Sequence, residues 1–324
     1  MPPFSQFDSS GRLRHLITLD GLSDEQIREL LDRAQHYLAP RGSIPVRSRD
    51  LEGTTIANIF NEPSTRTRSS FELAGLRLGA DVLNLEIQLS SRVKGETVLD
   101  TIHTLESMAV DVFVIRDAEP GITQFVAEHV YDHVSVLSAG EAHLTHPTQG
   151  LLDALTILRH KGGFRDLSVA VVGDVKHSRV ARSAYHIFTA LRVGELRIVA
   201  PEALMPPSGE MPDAVRFHSI EEGIAHCDVV MMLRVQRERM AQAAIPDPHD
   251  YHARWGLTAS RLQLARPDAI VMHPGPMNRE VEISSEVADG PRSVIREQVI
   301  NGVAVRMAVL DTVISNRRKQ GDNR

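Results

Sequence analysis

The sequence predicts an α/β protein of two similar-sized domains, each a parallel sheet flanked by helices, with the C-terminal helix returning to the first domain. Three observations lead there. At 324 residues the chain exceeds what one hydrophobic core comfortably organises. Its composition, 42% hydrophobic and 24% charged, is that of ordinary globular proteins. Short apolar runs alternate along it with amphipathic stretches, the pattern of strand–helix–strand units.

The first element is a helix opened by Ser23-Asp24-Glu25-Gln26, with Ser23 as the cap and Gln26 three residues on. Ile27, Leu30, Leu31, Ala34 and Leu38 share its apolar face, and Pro40 and Gly42 end it. Strands are then predicted at Thr55–Phe60, Asp81–Glu86, Asp111–Ile115, His133–Leu137, Ser168–Val172, Leu196–Ala200, Asp228–Leu233 and Ala269–Met272. A long helix covers roughly Thr148–His160, and Lys161-Gly162-Gly163-Phe164 behind it is the best candidate turn between halves. The domains are expected at 1–147 plus the last helix, 301–324, and at 148–300. That last helix spaces Val303, Met307, Leu310 and Ile314 along one face.

Some function classes recede on composition. The net charge of -6, with no massed basic residues, does not suit a nucleic-acid binder. No run approaches the roughly 18 apolar residues of a membrane helix, and no signal pattern opens the chain. A single cysteine, Cys227, excludes an internal disulfide and fits a reducing, cytoplasmic compartment. Lying before Asp228-Val229-Val230, it reads as a buried small hydrophobe rather than a nucleophile.

In parallel sheets ligands bind at the carboxyl ends of strands, where helix N-termini gather. After Thr55–Phe60 comes Asn61-Glu62-Pro63-Ser64-Thr65-Arg66-Thr67-Arg68. A plain N-cap by Ser64 or Thr65 leaves the arginines unexplained, because cations at a helix N-terminus cost roughly some tenths of a kcal/mol each. A bound phosphate would remove that conflict. Ser90 to Thr97 suits a solvated loop with a capping Ser or Thr, and Arg116, placed after a strand, suits a surface salt bridge. Pro147 fits a first helical turn, which sets His146 at its entrance and Gln149 within it. A capping histidine and a ligand contact both remain open there, whereas zinc-ligand spacing is missing. Val171-Val172-Gly173-Asp174 leading to Lys176-His177-Ser178-Arg179 forms strand, turn and helix without a dinucleotide or nucleotide-phosphate fingerprint. Arg234-Val235-Gln236 and His273-Pro274-Gly275-Pro276 follow two later strands. With no carboxylate pair, Ser-His-Asp set or metal cluster beside them, these groups are suited to holding anions and polarising an oxygen.

Ser64-Thr65-Arg66-Thr67-Arg68 with Ser70-Phe71-Glu72, Leu78-Gly79-Ala80, Lys94-Gly95-Glu96-Thr97, Asp100-Thr101, and His146-Pro147-Thr148-Gln149 with Leu152-Asp153 together resemble, in order, the blocks of the aspartate and ornithine carbamoyltransferases. The resemblance runs from about residue 15 to about 316. Arg234-Val235-Gln236 looks like the aspartate branch, since the ornithine branch would have Ser-Met-Gly there and His-Cys-Leu-Pro near residue 273.

That likeness implies transfer of a carbamoyl group from carbamoyl phosphate to L-aspartate, a step of pyrimidine synthesis, with no cofactor and no metal. It assigns Ser64, Thr65, Arg66 and Thr67 to the phosphate, and Thr67, Arg116 and His146 to the carbonyl oxygen. Gln149 and the backbone around Pro274, Gly275 and Pro276 would meet the amide nitrogen. Arg179 would take the α-carboxylate of aspartate, and Arg234 with Gln236 the β-carboxylate. Ser90 and Lys94, the latter reaching aspartate, would enter from a neighbouring subunit of a homotrimer, which regulatory or dihydroorotase-like chains could join. Neither nucleic acid nor membrane is implied as a partner. Closure of the two domains is expected to follow aspartate binding. A carbamoyltransferase for another amino acid and a non-catalytic scaffold subunit are the competing readings. The chain departs from the family pattern at Glu62-Pro63, at Asp117 where many relatives have His, at Gly275 where the enteric type has Leu, and at Glu280 where bacterial relatives often have Gly. Residues 1–14 lie outside the likeness and are left as a candidate docking tail.

Overall fold

The computed structural model describes residues 4–40, 43–85, 97–236 and 247–321. Backbone contacts divide the chain into two units: 1–21, 25–148 and 300–324 form the first, and 22–24 with 149–299 the second.

The first unit holds a parallel sheet in the order β2-β1-β3-β4, built from β1 (Thr55–Phe60), β2 (Asp81–Leu85), β3 (Val112–Asp117) and β4 (Ser135–Glu141). Around it run α1 (Asp24–His36), α2 (Thr65–Arg77), α3 (Val98–Ser107) and α4 (Ile122–His129). Ala57, Ile59, Phe113, Ile115 and Val136 of the strands and Ile102 and Val126 of the helices form its core. Such side chains stabilise by roughly 1.5–3 kcal/mol each when fully buried. Gly75 lets α2 lie close on the sheet, because a Cβ there would stand 2.7 Å from Val82 Cγ2. Thr97 caps α3 in a reciprocal capping box with Asp100, as expected of a Ser or Thr in that loop. α1 stops at His36, so Leu38 lies beyond it; Tyr37 N to Ala34 O and Leu38 N to Gln35 O tighten the end into a turn.

The second unit holds a parallel sheet in the order β7-β6-β5-β8-β9, from β5 (Ser168–Val172), β6 (Glu195–Val199), β7 (Val215–Phe217), β8 (Val229–Met232) and β9 (Ile270–Met272). Its longer helices are α5 (Pro147–Lys161), α6 (Arg179–Ala190) and, after the short α7 (Ile220–Ile224), α8 (Pro248–Trp255). The short α9 (Ala259–Leu262) and α10 (Ser285–Ala288) follow. Ala170, Val172, Val199, Val230, Met232 and Val271 form the centre of its core, with Cys227 among them. Burial raises the Cys227 thiol pKa, in keeping with an inert packing role.

Four sequence expectations change. β3 runs two residues past Ile115, so Arg116 lies inside a strand, paired in register with Phe60. β4 begins at Ser135 and continues to Glu141, because the ladder to β3 resumes at Asp117 and Glu141 after a shift of register. β7, a three-residue edge strand, is too short for its apolar–polar–apolar alternation to announce it. The last helix, α11 (Ile295–Gly321), is buried on nearly all sides between Ala304 and Leu310, rather than along one stripe. By length and composition α11 would also suffice to cross a membrane, but 78% of its apolar window is buried. Within the first unit it is tied down by Arg33–Asp311 at 2.5 Å, Arg317–Asp111 at 2.6 Å, and the Arg306 guanidinium over the Phe71 ring at 5.1 Å.

Candidate functional site

In the first sheet the chain order reverses between β1 and β3, the kind of switch point where parallel sheets bind ligands. Ser64 to Thr67 follow β1, Arg116 is the last residue but one of β3, and His146 follows β4, so these predicted groups stand at the carboxyl ends of three adjacent strands. Ser64 is the N-cap of α2 in extended backbone (φ -160), and its side chain makes no capping bond. No acidic residue stands in the first turn of α2. A helix start free of acids leaves its first amides and partial positive charge for an outside anion. Thr67 is buried, Ser64 half-buried, and Thr65 and Arg66 exposed.

Arg116 differs from its expectation as a surface residue. Only 7% exposed, it donates from Nη1 to Ala139 O at 3.2 Å and from Nη2 to Glu62 Oε1 at 2.8 Å. The carbonyl of β4 thus aims the guanidinium across the strand ends, and Glu62 supplies the counter-charge. Asn61 is held beside them, its Nδ2 donating to Asp117 Oδ2 at 2.7 Å. Asp117 therefore serves the loop after β1. Glu141, the last residue of β4, accepts from the Gly121 amide and from both the amide and hydroxyl of Thr123 at the start of α4. Burial raises the Glu141 pKa against those bonds.

The second sheet reverses between β5 and β8. Arg179 follows β5, Arg234 and Gln236 follow β8, and Gly275 and Pro276 follow β9, again three adjacent strands. Gly173 lets the loops after β5 and β8 approach closely: its φ is 125°, and a Cβ there would meet Leu233 O at 2.8 Å. Asp174, fully buried, ties the two loops by accepting from the Gln236 amide at 3.0 Å and contacting His177 Nδ1 at 2.8 Å. Ser178 caps α6 through the Ala181 amide at 3.1 Å, which leaves Arg179 as its first helical residue, 7% exposed.

The loop after β9 is fixed from inside. His273 accepts from the Gly275 amide at Nδ1 (2.8 Å), so its Nε2 donates to Glu282 Oε1 at 3.1 Å. Gln149 Nε2 donates to Asp153 Oδ1 at 3.0 Å. Asp174, Glu282 and Glu62 were not anticipated as site residues; only Glu62 carried a signal, as a departure from the family pattern. Ser90 and Lys94 lie outside the described residues. Among the described residues no group of His, Cys, Asp and Glu is arranged to hold a metal ion.

Two domain models match the chain: "Aspartate/ornithine carbamoyltransferase, carbamoyl-P binding domain" over residues 14–159, and "Aspartate/ornithine carbamoyltransferase, Asp/Orn binding domain" over 165–313. Among solved structures, aspartate transcarbamoylase from Trypanosoma cruzi in complex with carbamoyl phosphate and aspartate is similar at 31% identity and TM-score 0.83, over 94% of this chain and 98% of that one. Ornithine carbamoyltransferase from Pyrococcus furiosus is similar at 28% identity and TM-score 0.81, over 93% and 97%. Ornithine carbamoyltransferase from Thermus thermophilus is similar at 25% identity and TM-score 0.81, over 93% and 99%.

Proposed function

The chain belongs to the aspartate/ornithine carbamoyltransferase family, and from that premise we propose that it transfers the carbamoyl group of carbamoyl phosphate to the amino group of L-aspartate. The products are N-carbamoyl-L-aspartate and phosphate. The observation that carries the choice of acceptor is the pair of arginines after neighbouring strands, Arg179 after β5 and Arg234 after β8. Two cations suit a dicarboxylate. Ornithine would bring a second ammonium, which they repel.

In this reading Ser64, Thr65, Arg66 and Thr67 hold the phosphoryl group on the amides of the α2 N-terminus. Carbamoyl phosphate competes with Glu62 for Arg116, while the bond to Ala139 O keeps the guanidinium aimed. The aspartate amine attacks the carbonyl carbon, and Arg116, His146 and Thr67 stabilise the oxyanion. As it collapses, the carbon–oxygen bond to phosphate breaks and the departing phosphate takes the amine proton. Gln149 and the carbonyls around Gly275 and Pro276 accept from the carbamoyl NH2, and Gln236 assists Arg234 at the β-carboxylate. Removing one oxyanion donor typically costs roughly 10²–10³ in turnover.

Ser90 and Lys94 are assigned to the site of a neighbouring copy in a homotrimer. Support comes from exposed apolar side chains of the first unit, of the kind a neighbouring copy would cover: Leu83 of edge strand β2 is 40% exposed, and Leu73 and Leu76 of α2 are 42% and 52% exposed. The deciding experiment measures phosphate release by the purified chain with carbamoyl phosphate and either L-aspartate or L-ornithine. Turnover with aspartate at least about a hundredfold above ornithine is expected. Equal or better turnover with ornithine overturns the assignment.

A further inference from the structure

Asp153 lies one turn along α5 from Gln149, is 0% exposed, and takes no part in the chemistry assigned above. Its Oδ1 receives two side-chain amides, Gln149 Nε2 at 3.0 Å and Gln298 Nε2 at 2.8 Å. Gln298, itself 3% exposed, accepts the His273 backbone amide at its Oε1 (2.9 Å). The orientation of these amides follows from chemistry. A backbone N–H only donates, so Gln298 must turn its oxygen to His273 and its nitrogen to Asp153. A carboxylate oxygen that receives two N–H groups has nothing to give, so Gln149 must also turn its nitrogen inward. With one N–H committed to Asp153, Gln149 turns Oε1, an acceptor, to the opposite side of its amide carbon.

We propose that Asp153 is a positioning residue: it locks the Gln149 side chain with its acceptor toward the ligand and, through Gln298, fixes the His273–Pro276 loop that recognises the same group. This rests on the carbamoyl-transfer reading and names the part of the substrate the device selects. An acceptor there suits the NH2 of a carbamoyl group and opposes an isosteric carboxylate, whose oxygens can only accept. His273 extends the device, because its amide is set by Gln298 and its ring by Glu282, and the ring in turn holds the Gly275 amide. Two buried acids thus fix the side chain and the loop that offer acceptors to one NH2.

The test compares two probes of the same shape, phosphonoacetamide and phosphonoacetate, with inorganic phosphate as control, by titration calorimetry on the wild-type chain and Asp153→Leu. In the wild type the amide-over-carboxylate ratio of affinities sets the baseline. In Asp153→Leu, Gln149 is free to turn over and present its NH2. The ratio should fall about tenfold, the worth of one buried hydrogen bond, while phosphate affinity stays within about twofold. Should that variant not fold, Asp153→Asn reads the same ratio. Its own amide offers both a donor and an acceptor, so either end of Gln149 can face it, and a fall of roughly threefold or more is expected. An unchanged ratio in a folded variant overturns the proposal. So does an equal loss for all three probes, which marks a purely structural role. A wild type that neither prefers the amide nor carbamoylates an amine overturns the carbamoyl reading together with this one. A wild type that turns over normally beside variants with an unaltered ratio overturns this inference alone.

Discussion

The carboxyl ends of both sheets bury acids that hold fixed donors, Asp117 and Glu141 among them in the first, but the first also sets an acid against a cation assigned to the substrate. At the first sheet, Glu62 forms an ion pair with Arg116, one of the groups assigned to the substrate, and it keeps 24% of its side chain exposed. At the second, Asp174, Asp153 and Glu282 are buried at 0% and serve backbone amides, side-chain amides and a histidine. An acid that faces a site cation is an exchangeable counter-ion, which a dianionic ligand can replace. An acid buried among fixed donors is a scaffold, and removing it leaves those donors unpaired at roughly 1–3 kcal/mol each. The comparison separates an acid that exchanges with a ligand's charge from acids that orient neutral donors and acceptors.

The strongest way to break it is Arg116→Ala. If Arg116 is a site cation with a replaceable counter-ion, kcat should fall roughly 10²–10³-fold, with the circular dichroism spectrum unchanged. Loss of the fold instead would make Arg116 part of the scaffold. Next comes Arg234→Ala. Losing a charge-assisted contact to a carboxylate is worth about 1.5–3 kcal/mol, so KM for aspartate should rise roughly 10- to 150-fold. KM for carbamoyl phosphate should move far less; parallel rises in steady-state assays would end the division of labour.

How much of this could be read in the chain depends on whether a feature is local. β5 was legible to the residue, since Ser168–Val172 is a short apolar run between turn residues. The sequence ends β3 and β4 early because Arg116, Asp117 and Glu141 look like loop residues, although Arg116 pairs with Phe60 and, past a shift of register, Asp117 pairs with Glu141. The phosphate-loop candidate was legible because its residues are consecutive and two arginines sit awkwardly at a helix start. The Arg116–Glu62 pair was not, for its members stand 54 positions apart, and Asp153 and Gln298 stand 145 apart. Asp153 was visible as part of a motif, but its work was not. Which acid faces a cation and which faces an amide is a tertiary property.

A third prediction sharpens the contrast by pH. His15 of the first unit is buried, and its Nδ1 accepts the Val136 amide at 3.0 Å. Desolvation, aided by the nearby Arg14 charge, pushes its pKa down to about 3. The unfolded chain, with a pKa near 6.5, binds the proton first as pH falls. The stability from neutral His15 is therefore complete above about pH 6.5 and is lost as pH drops toward 3, at about 1.4 kcal/mol per pH unit. Between pH 6.5 and 5 that is roughly 2 kcal/mol. Urea unfolding at both pH values should show this loss in the wild type. His15→Gln, which keeps an acceptor for Val136 and does not titrate, should abolish most of it. An equal acid loss in the variant would assign the effect to other groups.

The smallest effect belongs to Glu280, where relatives often have glycine. The structure supplies the reason: its φ is 59°, left-handed backbone that glycine adopts without strain. Glu280 offsets the strain by accepting the Ser285 amide at 2.7 Å, at the start of α10. That bond, the largest of the influences that hold its carboxyl below the usual range, makes it an exposed version of the scaffolding acids of the second unit. Two substitutions separate the opposing contributions. Glu280→Gly loses the hydrogen bond but relieves the backbone, so thermal stability should change little. Glu280→Ala loses the bond and keeps the strain, so its melting temperature should fall below both the wild type and the glycine variant. The Ala–Gly difference reads the backbone cost directly, because neither variant retains the carboxylate. An alanine variant as stable as the glycine one would mean that the left-handed backbone costs nothing here, and that the hydrogen bond to Ser285 needs another reason to exist.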